Sequence, residues 1–121
     1  MKTLFFSFIL LLILPFNTSA QTSAYTGEID GKKIKGTLTF KKDDTVSGSY
    51  YFVSRPDRVY KISGTNFVNG EIKADISYAG KDVYGGTMTK TLTDSYVVWE
   101  GDFWKENADG ETFYIILRRP R

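Results

Sequence analysis

The segment Lys33–Lys41, KIKGTLTFK, decides the fold class because polar side chains alternate at every step with apolar side chains or glycine. One set of alternate positions holds Ile34, Gly36, Leu38 and Phe40, and the other set holds only lysine and threonine. A period of two is typical of a half-buried strand, with one face in the core and the other in water. The segment therefore predicts an antiparallel sheet with a solvated outer face.

Turn signals divide the rest of the chain at regular intervals of about 10 to 14 residues, a spacing typical of short strands joined by hairpins. The signals are Asp30-Gly31, residues 42–44, residues 55–57, Asn69-Gly70, Gly80-Lys81, Thr93-Asp94 and residues 107–110. Seven turns predict eight strands in an all-β, antiparallel, up-and-down meander. Near Asn66 the alternation of the fourth strand conflicts with the register that the Asn69-Gly70 turn favours, which predicts a bulge there.

Glycines in the middle of the predicted strands indicate how the sheet curves. Five of them fall on the core-facing side, where glycine would weaken a flat strand: Gly36, Gly48, Gly64, Gly86 and Gly101. Glycine on a concave face lets a strand coil sharply, so we assign these residues a structural role in bending the sheet. The expected result is a meander closed, or nearly closed, into an eight-stranded barrel rather than a sandwich.

The first twenty residues have the plan of a secretory signal peptide. Lys2 precedes an apolar run, Leu4 to Leu14, that is interrupted only by Ser7, and small polar residues lead up to Ala20. The run is shorter than the roughly 20 apolar residues that span a bilayer. We therefore expect cleavage after Ala20, a single domain over residues 21–121 and a secreted or periplasmic location, with no membrane span.

The composition removes several classes of function. The chain has no cysteine and no histidine, which excludes lipid anchoring through cysteine, thiol catalysis, histidine-based triads and imidazole zinc sites. Without Lys2 the 15 basic and 14 acidic side chains leave a net charge of 15 − 14 = +1, so we expect no nucleic-acid partner. Residues 107–111 resemble the middle of a calcium loop, but its first ligand would fall on Lys105, and a cation cannot ligate calcium, so we interpret them as a turn. We expect no metal and no cofactor.

Paired carboxylates are the catalytic chemistry that this composition leaves open. Glu100 and Asp102 are two residues apart on one face of the seventh strand, a spacing compatible with a hydrolase. With a three-residue loop before the last strand, Glu100 would lie across from Arg118 and form a cross-strand ion pair. We prefer the ion pair and predict no catalytic residue.

Outward-facing aromatic and apolar residues on the third, seventh and eighth strands indicate a contact surface. The same register would set Trp104 across from Tyr114 and Asp102 across from Ile116. The predicted binding residues are Trp104, Tyr114, Tyr96, Tyr51 and Ile116. Tyrosine and tryptophan are enriched at binding hot spots, so the leading hypothesis is a non-catalytic module that binds a protein or glycan partner. The alternatives are cross-strand pairs that only stabilise the sheet, or a homo-oligomer formed through this face.

The second hypothesis concerns the inside of the barrel. Large aromatic residues are predicted to face the core around the inward-facing glycines. They are Phe40, Tyr50, Phe52, Trp99 and Phe103. They could leave room for a small apolar ligand, which would make the protein a carrier, or they could fill the interior completely.

Two known families resemble parts of the chain. Val46–Phe52 and Ile62–Thr65, VSGSYYF and ISGT, are similar to the third and fourth strands of avidin-type up-and-down barrels, which implies that architecture. Phe52 stands where that family places a small hydroxyl residue for its ligand, so the ligand is not carried over. Tyr25–Phe40 and Ser95–Glu111 resemble MORN-type hairpins, and the leader followed by a glycine- and tyrosine-rich β domain is similar to small exported bacterial envelope proteins.

Overall fold

The computed structural model describes residues 20–105 and 112–121, which form eight antiparallel strands in a closed barrel. The strands are β1 (Ala20–Ile29), β2 (Lys32–Lys41), β3 (Thr45–Phe52), β4 (Tyr60–Phe67), β5 (Glu71–Tyr78), β6 (Lys81–Leu92), β7 (Tyr96–Lys105) and β8 (Thr112–Pro120). Each strand pairs with the next along the chain, and β1 pairs with β8 to close the barrel. The predicted fold class is therefore confirmed.

Some sequence predictions fall where the structure gives no description. The predicted leader lies outside the described residues except for Ala20, the first residue of β1, and the predicted turn at residues 107–110 lies outside them as well. Across residues 20–105 and 112–121, the chain contains no helix of the length and apolarity that a membrane crossing requires.

The barrel has two ends, which we call the front mouth and the rear mouth. At the front mouth lie the turns at residues 30–31, 53–59 and 79–80. At the rear mouth lie the start of β1, the turns at residues 42–44, 68–70 and 93–95, and the end of β8. The alternation seen in the sequence sends every second side chain of each strand inward, so large residues line the interior of the barrel between its mouths. Its fully buried side chains include Tyr50, Phe103, Ile34, Leu38, Ile72, Ile76, Met88, Ile115, Leu117 and Val46.

The inward-facing glycines bring neighbouring strands closer together than a side chain would allow. A Cβ added at any of the five predicted glycines would overlap a backbone carbonyl oxygen of the adjacent strand, for example that of Ser49 at Gly36 and that of Thr87 at Gly101. Gly27 on β1, which the sequence analysis did not select, is in the same situation against the carbonyl of Ile116 on β8. Glycine is thus required at these positions for two reasons: its own strand coils there, and the backbone of the neighbouring strand comes too close to leave room for a Cβ.

The bulge predicted near Asn66 is wrong. Strands β4 and β5 pair without interruption from Lys61 opposite Ser77 to Phe67 opposite Glu71, because the turn at residues 68–70 contains three residues. Gly70 completes that turn at a φ of 84°, which glycine adopts without strain. The register shifts instead between β5 and β6, next to Ile76. Asn66 consequently takes an inward position at the rear mouth.

Tyr50 predicts a loss of stability in alkaline solution. Burial raises the pKa of the Tyr50 hydroxyl above its ordinary value, and the nearby hydroxyls of Tyr60 and Tyr84 contribute in the same direction. Above pH about 10 the unfolded chain loses this proton while the folded protein keeps it, so the free energy of unfolding falls as pH rises. We expect Tyr50→Phe to reduce this fall by up to about 1.4 kcal/mol per pH unit in urea unfolding between pH 7 and 11.5. Equal pH dependence of the two proteins would contradict the prediction.

Candidate functional site

The five predicted binding residues all belong to the outer surface, where they lie at separate places on three strands. Trp104 lies at the front-mouth end of β7 and is 51% exposed, whereas Tyr96, 44% exposed, lies at the other end of the same strand. Tyr51 is half-buried on β3, four strands away around the barrel. Ile116 is half-buried on β8, and Tyr114 on the same strand is 39% exposed.

The predicted register between β7 and β8 is wrong by two residues. Trp104 lies opposite Thr112 rather than Tyr114, and Asp102 lies opposite Tyr114 rather than Ile116. A shift of two residues moves each pair along the strands but keeps every side chain on its predicted face. Trp104 and Tyr114 therefore share the outer surface as diagonal neighbours.

The predicted ion pair between Glu100 and Arg118 is also wrong. Glu100 lies opposite Ile116 and accepts a hydrogen bond of 2.6 Å from the Tyr114 hydroxyl, which raises the pKa of Tyr114. Arg118 lies opposite Val98, and its Nη1 is 3.7 Å from Glu28 Oε2 across the β1–β8 seam. Glu100 is therefore engaged in a contact on the wall of the barrel.

Tyr114 is held in place from two sides. Its backbone N–H donates to Asp30 Oδ1 over 3.1 Å, and the backbone N–H of Asp30 donates to the Tyr114 carbonyl over 3.3 Å. Together with the bond to Glu100, these contacts fasten the β1–β2 turn to β8 beside the seam. Tyr114 thus has a structural role in addition to its exposed position.

A groove begins at Trp104 and crosses the outer surfaces of β4, β5 and β6. Two rows of outward-facing residues follow from the strand pairing: Ser63, Asp75, Gly85 and Trp104 in one, and Thr65, Lys73, Thr87 and Asp102 in the other. All of these except Asp102 line the groove, whose volume is about 390 Å³. Three interstrand spacings separate Ser63 from Trp104, which makes the groove about 14 Å long.

Gly85 lines the groove at the end next to Trp104 and is itself buried. It lies directly opposite Trp104 and has no side chain to fill the space beside the indole. The other lining residues contribute short hydroxyls from Ser63, Thr65 and Thr87, a cation from Lys73 and a carboxylate from Asp75. The groove can therefore offer one flat apolar ring together with donors and acceptors on a rigid sheet.

Of the residues that line this groove, Trp104 was predicted from the sequence and the others were not. They are separated by up to 41 positions along the chain, from Ser63 to Trp104, and come together only through the register of three strand pairs. A signal was present in the row of hydroxyl residues on the polar face of the fourth strand and in Gly85 beside the core glycine Gly86. These two features could not be assigned to one groove without knowing which residues of the neighbouring strands pair.

The front mouth contains a second, smaller pocket lined by aromatic side chains. Its volume is about 200 Å³, and Tyr50, Phe52, Tyr60, Tyr84 and Phe113 form most of its wall. Tyr50 stacks on Tyr60 with ring centroids 5.1 Å apart, and Tyr84 meets Phe113 edge-on at 4.7 Å. The wall of this pocket is therefore a packed aromatic cluster that leaves a small opening.

Acidic groups do not gather into a metal site in the part of the chain that the structure describes. No three of its aspartate and glutamate side chains lie close enough to hold an ion. Glu100 and Asp102 line neither the groove nor the front-mouth pocket.

The chain was compared with known proteins in three ways. No protein-family model matches it, and no curated protein and no solved structure shows significant similarity to it.

Proposed function

We propose that the protein is an exported, non-catalytic module that binds a glycan in the groove beside Trp104. The observation that carries this proposal is the position of Trp104, half exposed and opposite Gly85, at the end of a groove of about 390 Å³. The half-exposed indole leaves part of its aromatic surface open to a ligand. The C–H face of a sugar ring is apolar, so it can pack against such a face.

The polar groups of the groove favour a glycan over a protein partner. Protein hot spots usually combine several aromatic or arginine anchors in a desolvated patch. Here one tryptophan is accompanied by Ser63, Thr65 and Thr87 with Lys73 and Asp75. Sugar hydroxyls both donate and accept hydrogen bonds, and these side chains offer both possibilities. The predicted leader supports exposure to extracellular or envelope polysaccharides.

Replacing Trp104 by alanine is expected to weaken glycan binding at least about thirtyfold, because truncating an anchor residue costs about 2 kcal/mol or more. The ligand would be found with an oligosaccharide array and pull-down on insoluble peptidoglycan, chitin and starch, and affinities would be measured by calorimetry. Trp104→Phe keeps an aromatic face and should retain most of the affinity. Tyr96→Ala removes a similarly exposed ring at the other end of β7 and should change nothing.

Two results would contradict the proposal. One is that no polysaccharide retains the wild-type protein, and the other is that Trp104→Ala and the wild type bind equally. A change of apparent mass in gel filtration on Trp104→Ala, without any loss of glycan binding, would instead assign this face to contact between copies of the chain.

A small apolar ligand at the front mouth is the second candidate function, supported by the aromatic lining of that pocket. Its volume of about 200 Å³ is below the roughly 300–1,000 Å³ of pockets for drug-sized ligands. The groove beside Trp104 falls within that range, which is why we prefer it. Fluorescence titration with N-phenyl-1-naphthylamine, comparing the wild type with Phe52→Ala, would detect binding at the front mouth.

A further inference from the structure

The rear mouth of the barrel combines buried rings with positive charge. Its pocket has a volume of about 360 Å³ and includes side chains from β1, β2, β4, β6, β7 and β8. The lining residues that matter most are Gln21, Phe40, Asn66, Lys90, Trp99 and Arg119. We propose that this mouth binds a small organic anion whose apolar body lies against Phe40 and Trp99 and whose carboxylate or sulfonate faces Arg119.

The aromatic part of the pocket is already ordered by packing. Trp99 is almost completely buried, and its ring stacks on Phe40 with centroids 5.7 Å apart and an interplanar angle of 28°. Tyr25, also buried, lines the same pocket. These rings provide a rigid apolar wall that a ligand can cover without ordering new side chains.

The charge of the pocket has one sign. Among the described residues that line it, Lys90 and Arg119 carry charge and no carboxylate is present. The pairing sets Lys90 opposite Trp99 and Arg119 opposite Val97, so each cation lies beside an apolar inward-facing residue. The side-chain amides of Gln21 and Asn66 add further donors. An anion is the ligand that this set of groups complements.

Arg119 has a hydrogen-bonding capacity that the described chain does not use. Its Nε is buried without a hydrogen-bond partner among the described residues, and its Nη1 donates only locally, to the Pro120 carbonyl over 3.2 Å. A buried donor without an acceptor is unfavourable. A carboxylate or sulfonate oxygen would satisfy it, and guanidinium groups form strong charge-assisted bonds with such acceptors.

A pair of fluorescent probes distinguishes the contribution of the anionic group to binding from that of the apolar body. 1-Anilinonaphthalene-8-sulfonate and N-phenyl-1-naphthylamine share one aromatic skeleton and differ by the sulfonate. Titrations would use the Trp104→Phe variant, because Trp99 is then the only tryptophan and reports on the rear mouth. We expect the sulfonate to bind saturably, to quench Trp99 and to bind more weakly at high salt.

Arg119→Gln should weaken binding of the sulfonate at least about tenfold while changing that of the uncharged probe less than about twofold. Lys90→Gln changes an exposed side chain and should weaken binding of the sulfonate several-fold. Arg119→Lys should keep part of the affinity for the sulfonate. Lys32→Gln is the matched control, because Lys32 is the cation that lines the front mouth. Circular dichroism would confirm that each variant is folded.

The inference would be overturned if both probes bound alike and neither Arg119→Gln nor Lys90→Gln affected the sulfonate. It would equally be overturned if Lys32→Gln were the variant that weakened sulfonate binding, since the anion would then occupy the front mouth. Neither result bears on the glycan groove, which lies on the outer surface.

Discussion

Gly27→Ala is expected to lower the free energy of unfolding by about 3 kcal/mol or more, a large part of the roughly 5–15 kcal/mol that stabilises a domain of this size. The added Cβ would overlap the carbonyl oxygen of Ile116, and its next neighbours are also backbone atoms of β8. Backbone in a paired strand cannot rotate away as the end of a flexible side chain can. Only a shift of β1 against β8 could relieve the overlap.

The position of Gly27 explains why this shift would be harmful. It lies in the seam that closes the barrel, where the register between β1 and β8 contains only four pairs, from Thr26 opposite Arg118 to Ile29 opposite Ile115. Opening the seam would expose two strand edges, and exposed edges promote aggregation. Urea unfolding monitored by tryptophan fluorescence would give the change in stability, and gel filtration would report aggregation.

Gly80→Ala provides the matched control. Gly80 has a φ of 81°, and an added Cβ there would meet no atom within contact distance. Its substitution therefore measures the cost of a left-handed backbone alone, about 1–2 kcal/mol. If Gly27→Ala cost no more than Gly80→Ala, close approach at the seam would not be the reason for glycine at position 27.

The sequence was sufficient to predict the architecture because two local signals agree throughout the chain. Alternation in segments such as Lys33–Lys41 assigns each side chain to a face, and turn residues such as Asp30-Gly31 mark the strand ends. Both depend on neighbouring residues only. The seam could not be predicted in the same way, because Gly27 and Ile116 are 89 positions apart and meet only when the barrel closes.

The candidate site was only partly predictable because it depends on register. The faces of Trp104, Tyr114 and Ile116 were predicted correctly, since alternation survives a shift of two residues. Their partners were not, because the register between β7 and β8 was deduced from a loop at residues 107–110, which lies outside the described residues, and the observed pairing differs from that register by two residues. Predicting the groove requires the correct register for three strand pairs, β4–β5, β5–β6 and β6–β7. One of them contains the irregularity next to Ile76, and no local sequence pattern predicts that irregularity.

Phe103→Ala is expected to destabilise the protein by about 3–5 kcal/mol, the usual cost of removing a buried phenylalanine ring. Phe103 is 0% exposed and stacks on Phe113 with centroids 5.7 Å apart. Its Cγ lies 2.7 Å from the position that a Cβ of Gly86 would take, so the ring packs closely against the glycine. Phe103→Leu should cost less because it retains most of the apolar volume. Urea unfolding of both variants would measure these differences.

The same substitution tests whether the barrel is filled or is a carrier. Cavities lined by apolar side chains stay dry and bind small apolar molecules such as benzene. If Phe103 fills the interior, Phe103→Ala should acquire benzene binding that the wild type lacks, and benzene should raise the melting temperature of the variant only. If the wild type were already stabilised by benzene to the same extent, an interior site would exist in the native barrel, and that result would support the carrier hypothesis.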